Sequence, residues 1–333
     1  MGCSNFRLRA IQSAQYQKFS LTGINLHNDA FRITTSKDLG GLMVSIQQLG
    51  LLIPPLLIKQ DSEFIIISGF RRLAACQKLG WQEIIACKLN PELTYLDCLR
   101  LAIAENAFQR PLNLIEKSRA LYKLSSFLED TKQLTETAFI CGLPTNYSII
   151  NKIKNLCLLP APIQSGILRD TISLTMANEL AALEPESAIV FARIFDQLKL
   201  SLSKQKEMVT LVGEIARREN KSTCQVLAND QLQTIIADED LDRGQKGRKI
   251  RLLLRQWRYP RIAAAEKNYD THLKKLKLGR SIKLIPPKDF EGNTHTLNLT
   301  FDNLAHLKAL QSILNQIIQH PSFEIIVEDK DLL

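Results

Sequence analysis

Apolar residues recur at helical spacing between Ser36 and Leu49, at Leu39, Leu42, Met43, Ile46 and Leu49. That stripe predicts a helix with Ser36 as its N-cap and Gly50 as its stop. Two short apolar runs follow, 56-LLIK-59 and 63-EFIIIS-68, separated by Gln60-Asp61-Ser62, the pattern of strand, turn and strand. Gly69 opens a helix to Leu79, Gly80 ends it, and 84-IIACKL-89 reads as a third strand. Helices are expected at 93–106 and 112–129. Residues 36–111 therefore read as a small α+β domain. Residues 1–35 show little periodicity and are expected to be a flexible segment.

From 112 to 220 no strand pattern survives, and the chain reads as an all-α middle domain. Within it, 134-LTETAFICGLPTNYSIINKIKNLCLLP-160 has the layout of a helix-turn-helix. A short helix carries Thr137, Ala138 and Ile140, Gly142 and Pro144 make the turn, and a second helix runs from Tyr147 to Pro160. Ala138 and Gly142 are small enough for two helices to cross closely. The polar stretch 221–250 reads as a linker. Residues 251–333 hold a basic segment and a small α+β unit, expected as β-β-α-β: 281-SIKLIPP-287, 294-THTLNLTF-301, a helix at 303–319 and 323-FEIIVED-329. Leu304, Leu307, Leu310, Ile313, Leu314, Ile317 and Ile318 give that helix a wide apolar stripe. A module this small completes its core most simply by dimerising.

Composition changes this picture in three places. Of the 333 residues, 45% are hydrophobic and 23% charged, as in soluble globular chains, and no apolar run approaches the ~20 residues that span a bilayer. The start, MGCSNF, invites a lipidation reading, but Phe6 stands where the myristoylation pattern wants Ser or Thr. The expectation is a cytoplasmic protein with no membrane partner. Seven cysteines form no CxxC pair and no metal-ligand spacing with histidine, so neither a zinc site nor a disulfide framework is expected. The net charge of +9 is concentrated: Arg243 to Lys283 holds fourteen Lys and Arg against two acids, Glu266 and Asp270. Such a block points to a polyanion, or else to a solvated helix face.

Two polar clusters carry candidate chemistry. In 68-SGFRRLAAC-76 a strand runs into a glycine, two arginines and a helix. This sets free backbone N–H groups beside two guanidinium groups, a combination suited to phosphate. Alternatively Gly69 only permits a turn and both arginines are solvated. In 105-ENAFQRPLNLIE-116, Glu105 and Asn106 offer oxygen ligands of the kind Mg²⁺ takes alongside substrate phosphates. Asn113 with Glu116 also reads as a capping box, which leaves Glu105 and Asn106 unused.

In order and spacing these clusters resemble the ParB family of partition proteins. The family pattern is a strand ending in G-x-R-R, then E-N-x-x-R-x-x-L-N-x-x-E, then a helix-turn-helix ending in Leu-Pro. Here these fall on Gly69-Phe70-Arg71-Arg72, on Glu105-Asn106 through Leu112-Asn113 to Glu116, and on the segment ending Leu159-Pro160. The likeness covers about residues 40–185. It implies a sulfiredoxin-like N-terminal domain that binds CTP and Mg²⁺, with Gly69, Phe70, Arg71, Arg72, Asn106, Gln109 and Arg110 at the nucleotide and Glu105 and Asn106 at the metal. Glu105 would also support hydrolysis.

The resemblance further implies a homodimeric, CTP-dependent sliding clamp of chromosome or plasmid partitioning, associated with the nucleoid. It would bind a palindromic, centromere-like DNA site, with a ParA-type ATPase as partner. The DNA contacts would come from Thr145, Asn146, Tyr147, Asn151, Lys152 and Lys154, with Arg248, Lys249 and Arg251 of the basic segment. Phe70 stands where the family often has Glu. The position of the family's hydrolytic Gln falls on Ala30, which leaves CTPase turnover open. Two other readings of the scaffold are a transcriptional regulator and a nucleotide-dependent small-molecule kinase. A sulfiredoxin-type enzyme would need a reactive cysteine at the Gly-Arg turn, where Phe70 stands.

Overall fold

A computed structural model describes residues 15–328, and the chain divides into two compact units, 1–196 and 197–333. The first is built on a five-stranded sheet. Its strands are β1 (Gln15–Ser20), β2 (Ile24–Asn25), β3 (Leu56–Gln60), β4 (Glu63–Ser68) and β5 (Glu83–Lys88), in the order β1-β5-β3-β4-β2. β3 and β4 form the expected hairpin, closed by Asp61 at φ 53° and pairing Gln60 with Glu63. β1 pairs antiparallel with β5, and β3 lies parallel to β5. Residues 15–25, read from the sequence as flexible, are therefore part of the sheet. Phe19, Leu21 and Ile24 are their buried anchors, too few to make a periodic signal. Residues 1–14 of the expected flexible segment lie outside the described residues, and 29–35 are held by bonds to Glu116, Arg119 and Lys123.

Three helices complete this layer: α1 (Gly40–Leu49), α2 (Phe70–Lys78) and α3 (Tyr95–Gln109). Leu57, Ile66, Ile67, Leu73, Leu99 and Ile103 are its innermost side chains. α1 begins later than expected. Its N-cap position is Leu39, Ser36 is not used, and the Asp38 carboxylate accepts the Gly40 N–H at 2.9 Å. α3 starts on a capping box between Thr94 and Asp97.

α4 (Leu114–Ser125) opens on the expected capping box, with Asn113 and Glu116 bonded reciprocally. It packs against α5 (Thr131–Ile140), α6 (Tyr147–Ile153), the short turn Leu156–Leu158 and α7 (Ala161–Leu168); α8 (Leu174–Ala181) and α9 (Pro185–Leu198) follow. α5 and α6 are helices where two were expected in 134–160, but α6 ends at Ile153 rather than continuing to Pro160. Gly142 makes the turn at φ 73°, and a Cβ there would lie 3.3 Å from both Ala107 and the Phe108 ring at the end of α3.

In the second unit α10 (Leu202–Glu219) is followed by α11 (Thr223–Leu227), α12 (Asp230–Ala237), α13 (Arg243–Arg258) and α14 (Pro260–Leu276). Most of the expected linker is thus helical. Its polar residues are caps: Ser222 with Gln225 and Asp242 with Gln245 form capping boxes, and Asn229 caps α12. The unit ends in a hairpin of β6 (Ile282–Ile285) and β7 (Thr296–Leu299), then α15 (Leu304–Ile318) and α16 (Pro321–Glu328).

The expected last strand, 323–329, is therefore helical as far as Glu328. Pro321 opens α16, and His320 Nδ1 accepts the Ser322 N–H at 3.0 Å. Tyr269, Leu276, Ile282, Leu284, Leu310, Ile317 and Ile326 form the core of this module. Only part of the α15 stripe is used there: Leu304, Ile313 and Ile318 are exposed.

Candidate nucleotide site

A cleft of about 300 Å³ opens where β4 runs into α2 and where α3 ends, a volume at the low end for small-ligand sites. Its polar wall is Arg71, Arg72, Glu105, Asn106, Gln109 and Arg110, and its apolar wall includes Ile33, Leu42, Ile53 and Phe70. Six of the seven nucleotide residues expected from the sequence are side chains of this wall, and the seventh, Gly69, is at its floor.

Gly69 caps α2 in a left-handed conformation, φ 99°, and an added Cβ would sit 2.6 Å from the Pro55 side chain. Only glycine fits both demands, and it leaves the first N–H groups of a nine-residue helix facing the cleft. The two arginines after it are held at their far edges by backbone carbonyls. Arg71 Nη2 donates to Asp38 O at 2.7 Å and Arg72 Nη1 to Ile53 O at 2.9 Å. Arg71 Nε and Thr34 Oγ1 are buried with no hydrogen-bond partner among the described residues. Buried polar groups left unpaired are costly, so this cleft is short of acceptors, which an anion would supply.

Glu105 is bonded from three sides. Its carboxylate accepts from Arg72 Nη2 at 2.6 Å, from Gln109 Nε2 at 2.8 Å and from the Ser68 hydroxyl. Asn106 donates its amide to Ala102 O at 2.8 Å, and its side-chain oxygen accepts no bond from the described residues. Arg110 forms a two-pronged pair with Glu116, at 2.7 and 2.8 Å. Glu116 is 1% exposed and also accepts the N–H groups of Thr35 and Asn113. Burial pushes its carboxyl upward, and the bonds from Arg110, Thr35 and Asn113 with the Arg110 charge outweigh that, holding it below the usual carboxylate range.

From the segment 29–35, which has no periodic signal, sequence reading placed Ala30 but not Ile33, Thr34 or Thr35. Ile33 and Thr34 line the cleft, and Arg32 lies over the buried Phe70 ring at 5.2 Å. The available clue was chemical: a Glu at N3 with one nearby Arg still has room for further donors, and Thr35 supplies them through its N–H and its hydroxyl. Ala30, at the position of the missing Gln, offers only its carbonyl, which accepts from the Tyr95 hydroxyl at 3.2 Å and from Lys123. Lys123 is pulled below its ordinary range by burial. Cys76, the thiol nearest the Gly-Arg turn, is fully buried, and burial pushes it upward. It has none of the thiolate character a nucleophile needs.

The residues expected to touch DNA fall into three groups. Thr145, Asn146, Tyr147, Asn151 and Lys152 are exposed on and before α6. Asn146 caps α6 through the Ile149 N–H, and bonds with Asn151 and Thr131 draw the Tyr147 phenol downward. Lys154 is half-buried at the end of that helix. In the second unit Arg248 and Lys249 are exposed without ion pairs among the described residues, whereas Arg251 is tied to Glu207, with Nε at 2.6 Å.

Residues 9–107 match the family model described as the ParB N-terminal domain. The chain is 27% identical over 222 residues to a nucleoid occlusion protein of Bacillus mycoides (strain KBAB4), covering 60% of this chain and 74% of the relative. It is 29% identical over 193 residues to a nucleoid occlusion protein of Bacillus thuringiensis (strain Al Hakam), covering 57% of this chain and 64% of that one. Among solved structures, the C-terminally truncated chromosome-partitioning protein ParB of Caulobacter crescentus, complexed with CTP-gamma-S, matches at 24% identity and a TM-score of 0.26. That match covers 54% of this chain and 98% of the other. Residues 9–107, which carry the Gly69 turn and most of the cleft, are thus similar to the ParB N-terminal domain.

Proposed function

We propose that this chain is a nucleotide-dependent DNA-binding protein of the partition or nucleoid-occlusion kind, and that its cleft takes CTP. The observation that carries this reading is a glycine-opened helix N-terminus ringed by Arg71, Arg72 and Arg110, with Arg71 Nε and Thr34 Oγ1 unpaired. Phosphates match that donor set, and Ile33, Leu42, Ile53 and Phe70 give the rest of the nucleotide an apolar wall. Mg²⁺ would arrive with the phosphates, held by the Asn106 side-chain oxygen and by Glu105 once Arg72 turns from it to the phosphates. The ion would neutralise phosphate charge there.

Turnover is a separate matter. Glu105 is the candidate for supporting hydrolysis, but its oxygens are committed to Arg72, Gln109 and Ser68, and position 30 has no side-chain amide. The proposed behaviour is binding with slow cleavage. α6 would enter duplex DNA, led by Thr145, Asn146, Tyr147, Asn151, Lys152 and Lys154, while Arg248 and Lys249 would contact phosphates.

A second copy of the chain would cover Leu304, Ile313 and Ile318 on α15, and replacing Ile313 by Lys should then convert a dimer to a monomer in light scattering. A ParA-type partner rests on the family resemblance alone. Among the described residues no helix is long and apolar enough to cross a membrane.

Calorimetry with CTP, ATP and GTP, each with Mg²⁺, tests the reading. Selective CTP binding supports it. Preference for ATP would favour the kinase, and no binding to any nucleotide would remove the switch from the proposal.

A further inference from the structure

Helix α4 touches both halves of the proposed machinery, on opposite faces. Glu116, Arg119 and Lys123 lie at i, i+3 and i+7, on one face of the helix. Together they strap down the chain at 29–35. Glu116 accepts the Thr35 N–H at 2.9 Å, Arg119 Nη1 donates to Thr34 O at 3.0 Å, and Lys123 donates to the carbonyls of Asp29 and Ala30. Ile33 and Thr34 of this strap line the cleft, as does Arg110, which Glu116 holds.

The opposite face of α4 presents Ser118, which is fully buried. Its hydroxyl donates to Lys154 O at 3.0 Å and accepts the Cys157 N–H at 2.8 Å. Lys154 is the C-cap of α6, so one hydroxyl spans the end of the helix proposed to read DNA and the turn that follows it. Serine inside a helix ordinarily bonds back to its own backbone or faces water. Ser118 does neither.

We propose that Ser118 is a positioning residue that couples occupancy of the cleft to the set of α6. Phosphates in the cleft compete with Glu116 for Arg110 and draw on Thr34. The strap then loosens from Glu116 and Arg119, α4 adjusts, and the hydroxyl carries the adjustment to the Lys154–Cys157 turn. Coupling of this kind needs an element with two discrete arrangements that both sites bias. In this proposal that element is the junction of α4 with the Lys154–Cys157 turn, joined by the one hydroxyl. The coupling must also be reciprocal, so DNA on α6 changes the affinity of the cleft for nucleotide by the same factor. This inference rests on the nucleotide reading given above.

The test is amide hydrogen exchange of the full chain, read at the Lys154 N–H, which bonds to Ile150 O at 2.8 Å and not to Ser118. In the unaltered protein, saturating CTP with Mg²⁺ should change that exchange rate by about fivefold or more. Ser118→Ala should bind CTP within about twofold of normal by calorimetry, because Ser118 is not in the cleft, and should lose the CTP-dependent difference. Ser118→Thr, which keeps the hydroxyl, should restore it. A purely structural serine would shift the rate equally with and without CTP.

Without any nucleotide, Glu116→Gln or Arg119→Gln should change the Lys154 rate when Ser118 is present and leave it unchanged in the Ser118→Ala background. A full CTP response in Ser118→Ala, or additive effects in that pair of variants, overturns the proposal. If CTP does not bind at all, the nucleotide reading falls, and the Glu116–Ser118 pair still decides whether α4 couples the strap to α6.

Discussion

Two groups of arginines, one in each unit, look alike in composition and behave differently. Around the cleft, Arg71 and Arg72 are gripped by backbone carbonyls at their outer edges, and Arg71 keeps an unpaired Nε. Along α13, Arg251 and Arg258 are spent on Glu207 and Glu214 of α10, while Arg248 and Lys249 are exposed with no ion pair among the described residues. A count of fourteen cations between 243 and 283 marks the second region as the stronger candidate for anions. The bonded state of each side chain reverses part of that ranking. What sets Arg71 apart from the bracing Arg251 and Arg258 is a donor with no acceptor among the described residues.

Several substitutions would break or sharpen this contrast. The largest effect is expected at Glu116. Replacing it by Ala strands the Arg110 guanidinium and the Thr35 and Asn113 N–H groups, and should cost about 3–5 kcal/mol in urea unfolding. Because the folded Glu116 carboxyl lies below its ordinary value of 4.5, its contribution is complete above the unfolded value and is lost as pH falls through the folded one. Unfolding followed downward from pH 5 should show that loss in the unaltered chain and not in Glu116→Gln. Next, Arg71→Ala should weaken CTP binding about tenfold to a hundredfold, the worth of hydrogen bonds to a charged group, with little change in melting temperature. Equal loss of stability and affinity would make Arg71 another bracing residue.

A smaller effect separates neighbours on α13. Arg248→Ala should lower the slope of log affinity for DNA against log salt by about one. Arg251→Ala should leave that slope unchanged and cost about 1 kcal/mol or less of stability. Smallest of all, Ser36→Ala should leave the melting temperature unchanged, since Ser36 caps no helix.

Much of the cleft is legible in the sequence because its parts lie in strong local signals. A glycine after an apolar strand, paired arginines and a capping box each have a local physical cause. The β3–β4 hairpin and the Asn113–Glu116 cap follow for the same reason. The strap at 29–35 was not legible, since its order comes from Glu116, Arg119 and Lys123, about 80–95 residues away in the chain. The helical content of 221–250 was hidden by its own caps, whose Ser, Asn and Asp read equally well as loop. In 323–329 the alternation of apolar residues suited a strand, and Pro321 with the His320 bond decided for a helix as far as Glu328. Ser118 gave no signal, because a lone serine in a helix pattern says nothing about what its hydroxyl meets.

The ion pairs between α10 and α13 have a geometric consequence. Glu207 and Glu214 are seven residues apart, as are Arg251 and Arg258, so the two helices run in the same direction with matched repeats. A repeat of that kind fixes how the helices are rotated but tolerates a slide of one period, which would still set Arg258 on Glu207. Gly247 removes the ambiguity. A Cβ at that position would stand 2.9 Å from Leu200 Cδ2, so the leucine methyl seats in a notch that a slide of seven residues loses: Leu254 carries a side chain, and Asp240 lies ahead of α13. Charge sets the angle, and a missing methyl sets the offset.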